Sequence, residues 1–231
     1  MAKALAYHRP DTTEEALELL AGANRVVLAG GTRLNDRTRG LPGDPPEDEV
    51  EVVDIQALGL DGIQAADGGR LTIGATPTLQ ALVDDDRVPP LLRELARAEL
   101  PNTLRNTATI GGTFTAADGD SPLHAGLLVH GAEAERNGPL VTALVLSTDG
   151  SGSWARTGRT PADTPIVAAV ARRHTDGATH LALTGVADTP VLVDPDDPTA
   201  GLDPPGDFRG STAYRLELAR ILSRRALEGV A

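Results

Sequence analysis

The sequence has 231 residues, 40% of them hydrophobic, which predicts a globular protein of one large domain or two modest ones. Its formal net charge of −12 argues against a nucleic-acid-binding surface and against binding to anionic membranes. It has no cysteine, which excludes disulfides, a thiolate nucleophile and cysteine-ligated iron–sulfur clusters in this chain. We find no apolar run of signal-peptide or membrane-spanning length and expect a cytoplasmic protein.

The first 32 residues predict a strand, a helix, a second strand and a glycine turn. The strand is Ala4–Tyr7, and Asp11 or Thr12 can cap the helix that follows it. The residues Arg25–Leu28 form an apolar run that leads directly into Gly30-Gly31. We therefore expect a β-α-β unit that ends in a turn.

The next stretch predicts an irregular segment, a strand and a hairpin. The segment Leu41–Glu51 is rich in proline and acidic residues, which is typical of an irregular surface loop. Val50–Ile55 predicts a strand. Asp67-Gly68-Gly69 is a strong hairpin signal between Ile63–Ala66 and Leu71–Ala75.

Short helices dominate the middle of the sequence. Helices are predicted at Thr78–Val83, at Leu91–Ala98 behind a Pro-Pro pair, and at Leu123–Val129. Between the last two, Thr107–Ile110 favours a strand because it is rich in β-branched residues. A polar loop is expected at residues 114–122, and a strand at residues 140–146.

Asp149–Ser153 is rich in glycine and serine, and we interpret it as a linker between domains. The predicted domains are residues 1–148, with subdomains at about 1–56 and 57–148, and residues 154–231. In the second domain Pro165–Arg173 is either helical or a strand, and residues 180–186 and 190–193 predict strands. Ser211–Leu227 predicts an amphipathic helix. Its apolar stripe comprises Tyr214, Leu218, Ile221, Leu222 and Leu227.

Gly-Gly-Thr follows an apolar, β-branched run in two stretches of the sequence, Val26–Thr32 and Arg105–Thr113. Adjacent glycines can adopt φ > 0, and successive bare N–H groups can form an anion-binding concavity. Two such turns facing each other would form a cleft suited to a diphosphate. One Gly-Gly turn alone is more often purely structural. No Gly-x-Gly-x-x-Gly motif is present, so a dinucleotide would bind outside the Rossmann scheme.

The sequence resembles the flavin-binding (medium) subunits of the molybdenum hydroxylases, such as carbon-monoxide dehydrogenase and xanthine dehydrogenase. The resemblance is carried by Ala29-Gly30-Gly31-Thr32 and by Arg105-Asn106-Thr107-Ala108-Thr109-Ile110-Gly111-Gly112. In that family these motifs cradle the FAD diphosphate. The resemblance implies an α+β fold: a two-subdomain FAD-binding fold of the PCMH type, followed by a small α/β C-terminal domain of the CO-dehydrogenase flavoprotein type.

The resemblance also implies a set of FAD-binding residues. Three members of this set have an alternative interpretation. Asp120 could be a helix N-cap, Asp163 could be a solvated turn residue, and Arg33 could be a surface residue without function. We expect no catalytic side chain, because the flavin supplies the chemistry. The five histidines lack metal-ligand spacing, and we expect no metal site. The implied FAD-binding residues are Ala29, Gly30, Gly31, Thr32, Arg33, Leu34, Arg105, Asn106, Thr109, Ile110, Gly111, Gly112, Thr113, Asp120 and Asp163.

The implied function is that of a flavoprotein oxidoreductase subunit. It would relay electrons from a molybdenum and iron–sulfur hydroxylase to an external acceptor, with an iron–sulfur subunit and a molybdopterin subunit as partners. The sequence departs from the family where Glu135 is followed almost at once by Leu140, because about two dozen residues are usual there. This departure leaves two alternatives open. One is a stand-alone FAD- or small-molecule-binding enzyme, which could be a homo-oligomer, and the other is a scaffold subunit without flavin.

Overall fold

The computed structural model describes residues 3–34, 49–158, 160 and 163–231. Its helices and strands form an α+β fold with one parallel and two antiparallel sheets in this part of the chain. None of the described helices combines the length and apolar character needed to cross a membrane.

The first unit is a parallel sheet whose strands run in the order β1-β3-β2. The predicted β-α-β arrangement is confirmed, and Thr12 caps the helix by accepting a hydrogen bond from the N–H of Glu15 at 3.2 Å. Of the predicted irregular segment, residues 41–48 lie outside the described residues, and Glu49–Glu51 belong to a strand. The elements of this unit are β1 (Lys3–His8), α1 (Thr13–Leu20), β2 (Arg25–Leu28) and β3 (Glu49–Asp54).

The second unit is an antiparallel sheet of order β4-β5-β7-β6, covered by short helices. The predicted hairpin is confirmed, with Gly68 and Gly69 at φ 71° and 69° in its turn. Its elements are β4 (Ile63–Ala66), β5 (Arg70–Gly74), α2 (Leu79–Asp84), α3 (Pro90–Glu99), α4 (Asn102–Arg105), α5 (Ile110–Ala116), α6 (Pro122–Val129), β6 (Glu133–Asn137) and β7 (Leu140–Ser147).

The predicted strand and glycine turn at Thr107–Thr113 are wrong, because α5 begins at Ile110. Thr109 caps this helix, and its side chain accepts a hydrogen bond from the N–H of Gly112 at 3.2 Å. Gly111 packs so tightly on Ala75 that an added Cβ would lie 2.7 Å from the carbonyl oxygen of Ala75. This packing outweighs the local β-propensity of the sequence.

The third unit is an antiparallel sheet of order β11-β10-β9-β8 with a long helix packed against it. Ser151–Ser153, predicted as a linker, instead begin β8, and Gly150 forms the tight turn before it at φ 77°. The ambiguous segment at residues 165–173 contains a strand. The elements are β8 (Ser151–Thr157), β9 (Val167–Arg173), β10 (Thr179–Thr184), β11 (Val191–Val193) and α7 (Thr212–Glu228).

The buried face of α7 differs from the predicted apolar stripe, of which Leu222 alone is buried. In the first turn of the helix the buried guanidinium of Arg215 donates hydrogen bonds to the carbonyl oxygens of Ile166 and Gly185 at 3.0 and 2.7 Å. Leu218 and Leu227 of the predicted stripe are only partly buried and lie at the edge of this core. The residues that α7 buries are Arg215, Ala219, Leu222, Ser223 and Ala226.

Two hydrophobic cores support this arrangement. One fills the space between the second sheet and its helices, and the other lies between the third sheet and α7. Val170 of β9 and Ala182 of β10 belong to the first core, so the third sheet also packs against the second unit through α6.

Candidate functional site

A cavity of about 1400 Å³ lies between the first and second units and reaches the segment at residues 163–165. It is larger than a typical small-molecule pocket of roughly 300–1,000 Å³, and its size suits an elongated ligand. No aromatic side chain lines it within the described residues. A planar ligand would therefore contact aliphatic groups and backbone, in keeping with an aromatic content of only 2%.

The first glycine turn lies at the carboxyl end of β2, the edge at which parallel sheets bind ligands. Gly31 adopts the left-handed conformation at φ 68°. A Cβ on Gly30 would lie 2.0 Å from the carbonyl oxygen of Thr107, so this glycine allows the first unit to abut the second. The backbone N–H groups of Gly30, Gly31 and Thr32 have no acceptor among the described residues.

The second motif contributes differently to the cavity, because its backbone N–H groups donate hydrogen bonds within the protein. The N–H of Ile110 donates to Pro77, that of Gly111 to Ala75, and that of Gly112 to the Thr109 hydroxyl. What this motif offers the cavity is open space. A Cβ on Gly112 would meet only the Thr109 hydroxyl oxygen, at 3.1 Å.

Arg105 shapes the wall of the cavity through hydrogen bonds to the protein. Its guanidinium donates to the carbonyl oxygens of Arg97 and Leu100 at 2.9 and 3.1 Å and to the Gln80 side chain at 3.1 Å. These bonds join the end of α3 to α2 and α4. Asn106, which the resemblance assigns to the same site, donates instead to the carbonyl oxygen of Asn102 at 2.8 Å.

Charged side chains in the cavity wall are balanced in sign. Arg33, which follows the first glycine turn, forms an ion pair of 2.6 Å with Asp118 in the loop between α5 and α6. This pair links the first unit to the second across the cavity. The lining arginines are Arg33, Arg97, Arg105 and Arg156, and the lining carboxylates are Glu99, Asp118, Asp120 and Asp163.

Glu99 is a site residue that the sequence analysis missed. Its carboxylate accepts a hydrogen bond from the N–H of Leu123 at 3.0 Å, at the start of α6. Burial raises its pKa to about 7, despite opposing hydrogen bonds from Ser121 and Leu123. The signal was absent from the sequence because the two partners are separated by 24 residues and meet only in the fold.

The two aspartates that the resemblance assigns to FAD both line the cavity. The alternative that Asp120 caps α6 is wrong, because Ser121 is the N-cap. Asp120 instead forms an ion pair of 2.7 Å with Arg209. Asp163 accepts a hydrogen bond from the N–H of Thr160 at 3.1 Å, as a turn residue does.

The cavity thus brings together all the residues assigned to FAD except Asn106 and Ile110. Ile110 is fully buried in the core. The remaining set fits a dinucleotide, because the N–H groups of the first turn, which have no acceptor in the described part of the chain, suit a diphosphate, and threonines line the same cavity. The balanced charges mean that the backbone would provide most of the anion recognition.

Comparison with known proteins identifies the class of this fold and site. Residues 3–140 match the model of the FAD binding domain in molybdopterin dehydrogenase. The chain belongs to this family, whose cofactor is FAD. The predicted resemblance and the predicted α+β fold are thereby confirmed.

The chain is similar to particular members of the group. The putative xanthine dehydrogenase FAD-binding subunit XdhB of Escherichia coli is 34% identical over 149 residues, 58% of this chain and 46% of the relative. The carbon monoxide dehydrogenase medium chain of Afipia carboxidovorans is 27% identical over 278 residues, 96% of this chain and 95% of the relative. The chain spans about half the length of the curated relatives that it matches at 34–35% identity.

Solved structures show the same fold over the whole chain. The structure of the Cu,Mo-CO dehydrogenase in its cyanide-inactivated form has a chain that matches with a TM-score of 0.82 and 25% identity. The match covers 100% of this chain and 98% of that one. The third unit therefore belongs to the shared fold, although the family model ends at residue 140.

Proposed function

We propose that this protein is the FAD-binding subunit of a molybdenum hydroxylase and that it passes electrons from that enzyme to an external acceptor. The observation that carries the proposal is the single cavity lined by both glycine motifs, which lie on separate units of the chain. A dinucleotide in this cavity would contact both units.

Different described residues would bind different parts of FAD. The N–H groups of Gly30, Gly31 and Thr32 would hold the diphosphate, and Gly112 would let the ligand approach the start of α5. Thr113 and Asp120 would bind hydroxyl groups of the ligand, and Asp163 stays a predicted contact. When bound, FAD supplies the reversible uptake of electrons, and the protein supplies position and electrostatics.

The proposed partners are an iron–sulfur subunit and a molybdopterin subunit. The relatives are named as a carbon monoxide dehydrogenase medium chain and as FAD-binding subunits of xanthine dehydrogenase. Because this chain has no cysteine, cysteine-ligated clusters would have to lie on another chain. The cytoplasmic location stays a prediction.

A stand-alone flavoprotein is the second candidate, and the compactness of the chain favours it. The turn between β6 and β7 contains only Gly138 and Pro139, with Gly138 at φ 56°. The alignment with the carbon monoxide dehydrogenase medium chain runs over 278 residues, more than this chain contains, so the relative has insertions.

Purification of the tagged chain from its native cells distinguishes the candidates. We expect it to co-purify with iron and molybdenum and to carry about one FAD per chain. FAD without iron or molybdenum would contradict the proposed partners and favour the stand-alone enzyme. A colourless protein that takes up no added FAD would contradict both and favour a scaffold subunit.

A further inference from the structure

The loop Asp118–Asp120 forms part of the cavity wall and is attached to the third unit by its backbone. The carbonyl oxygen of Gly119 accepts a hydrogen bond from the N–H of Gly185 at 2.8 Å. A Cβ on Gly119 would lie 2.6 Å from the carbonyl oxygen of Ala187 and 2.7 Å from that of Asp188. The two backbones therefore abut, and the loop cannot move without the segment that follows β10.

A chain of ion pairs adds a second attachment, through side chains. Asp120 pairs with Arg209 at 2.7 Å, Arg209 pairs with Asp207 at 3.2 Å, and Asp207 pairs with Arg215 at 2.8 Å. Arg215 is 1% exposed and is fixed by its hydrogen bonds to Ile166 and Gly185. The series therefore runs from the cavity wall to a rigid, buried anchor on α7.

The charges along this series reinforce one another. Burial alone would raise the pKa of Asp207, but hydrogen bonds from Arg215, Arg209 and Gly210 hold it well below its usual range. Asp207 is thus ionised at neutral pH and holds Arg209 in place. Arg209 in turn occupies one carboxylate oxygen of Asp120, Oδ2. The other oxygen, Oδ1, has no partner among the described residues and can accept a ligand hydroxyl.

We propose that Arg209 is a positioning residue for the FAD site. It holds Asp120 and its loop against the third unit, so that FAD affinity depends on residues 207–215. This inference rests on the proposed function, because Asp120 is assigned to FAD there. It goes further by giving the third unit a part in binding, although neither Arg209 nor Arg215 lines the large cavity.

Arg209→Gln tests the proposal, with Arg220→Gln as the matched control. Arg220 is also an arginine of the C-terminal region, but its side chain is 60% exposed, and its one ion pair within the described ranges is local, with Glu217 at 2.6 Å. Two quantities are measured: amide hydrogen exchange of residues 118–121 in FAD-free protein, and the dissociation constant for FAD from an absorbance titration. Arg209→Lys is the conservative variant, which keeps the charge and serves if Arg209→Gln does not fold.

In Arg209→Gln we expect faster exchange in the loop and an FAD dissociation constant raised about tenfold, as for loss of a hydrogen bond to a charged group. Arg209→Lys is expected to show a smaller increase, and Arg220→Gln none. Unchanged exchange, or faster exchange with unchanged affinity, would overturn the inference. If the wild-type protein bound no FAD, the proposed function itself would fail, which is a distinct result.

Discussion

The glycines that the two motifs place at the site have different physical roles. A Cβ on Gly30 would collide with the Thr107 carbonyl oxygen of the second unit at 2.0 Å, and a Cβ on Gly111 with the Ala75 carbonyl oxygen of its own unit at 2.7 Å. These two glycines are therefore required by the fold before any ligand binds. A Cβ on Gly112 would meet only the Thr109 hydroxyl, at 3.1 Å, so a substitution there should change ligand binding and leave the fold intact.

We predict that Gly112→Ala binds FAD at least about tenfold more weakly, because its methyl group occupies space at the start of α5 that the ligand uses. Its unfolding free energy should stay within about 1 kcal/mol of wild type. Absorbance titration and urea denaturation give the two quantities. Gly62→Ala is the control, since its Cβ would lie 3.4 Å from the Gln64 side chain, outside the cavity. Equal FAD affinity in both variants would contradict the assigned role of Gly112.

Glu99 predicts a specific dependence of stability on pH. Because its pKa is about 7 in the folded protein and about 4.5 when the side chain is solvated, the folded state holds a proton that the unfolded state releases. Its contribution to stability therefore falls as pH rises from 4.5 to 7, by up to about 3 kcal/mol. Glu99→Gln should remove this decrease, as urea denaturation at pH 5 and pH 8 would show.

His130 changes the stability with pH in the opposite direction to Glu99, so the wild type has to be compared with Glu99→Gln. Burial lowers the pKa of His130 to about 4, so its contribution to stability is lost as pH falls from 6.5 to 4. Subtracting the Glu99→Gln profile from that of wild type cancels this effect. A difference that does not change between pH 5 and pH 8 would contradict the raised pKa of Glu99.

At the scale of elements, local signals predicted most of the fold. Thr12 caps α1 as predicted, Thr78 and Ser211 lie at the starts of predicted helices and cap them, and the Asp67-Gly68-Gly69 turn joins the predicted hairpin. Helix α5 was missed because its sequence favours a strand, while its start is fixed by contacts with Ala75 and Pro77 that no local pattern reveals. Cavity residues such as Glu99 and Asp118 were missed for the same reason, since their partners are distant in the sequence.

Arg172 joins three elements and is nearly fully buried. Its guanidinium donates to the carbonyl oxygen of Asp149 at 3.0 Å and to the Ser147 hydroxyl at 2.9 Å, and it forms an ion pair with the Asp149 carboxylate. It also reaches the carbonyl oxygen of Val129 at the end of α6, at 3.3 Å. Strand β9 is thereby attached to α6 and to the turn between β7 and β8.

We predict that Arg172→Met lowers the unfolding free energy by about 3 kcal/mol, because it removes these bonds and leaves buried acceptors unpaired. The adjacent Arg173→Met is the control and should change stability by less than about 0.5 kcal/mol, since Arg173 is exposed. Urea denaturation of both variants checks this. Similar stability of the two would contradict a role for Arg172 in attaching β9.

At the scale of the whole molecule, the two glycine motifs identified the family, but only the structure shows how they form one site. The first motif offers backbone N–H groups that have no acceptor among the described residues, and Gly112 of the second motif leaves open space at the start of α5. The division into domains at residues 149–153 stays a prediction. The third unit packs on the second through α6 and is attached to the cavity through Gly185 and Arg209.

Equilibrium binding of FAD and FMN to the purified chain tests the central claim most directly. If the cavity is a dinucleotide site held at the diphosphate by the first glycine turn, FAD should bind at about one per chain. FMN, which lacks the second phosphate and the adenosine, should bind at least about a hundredfold more weakly. Equal affinity for FAD and FMN, or no binding of either, would contradict the assignment of this cavity.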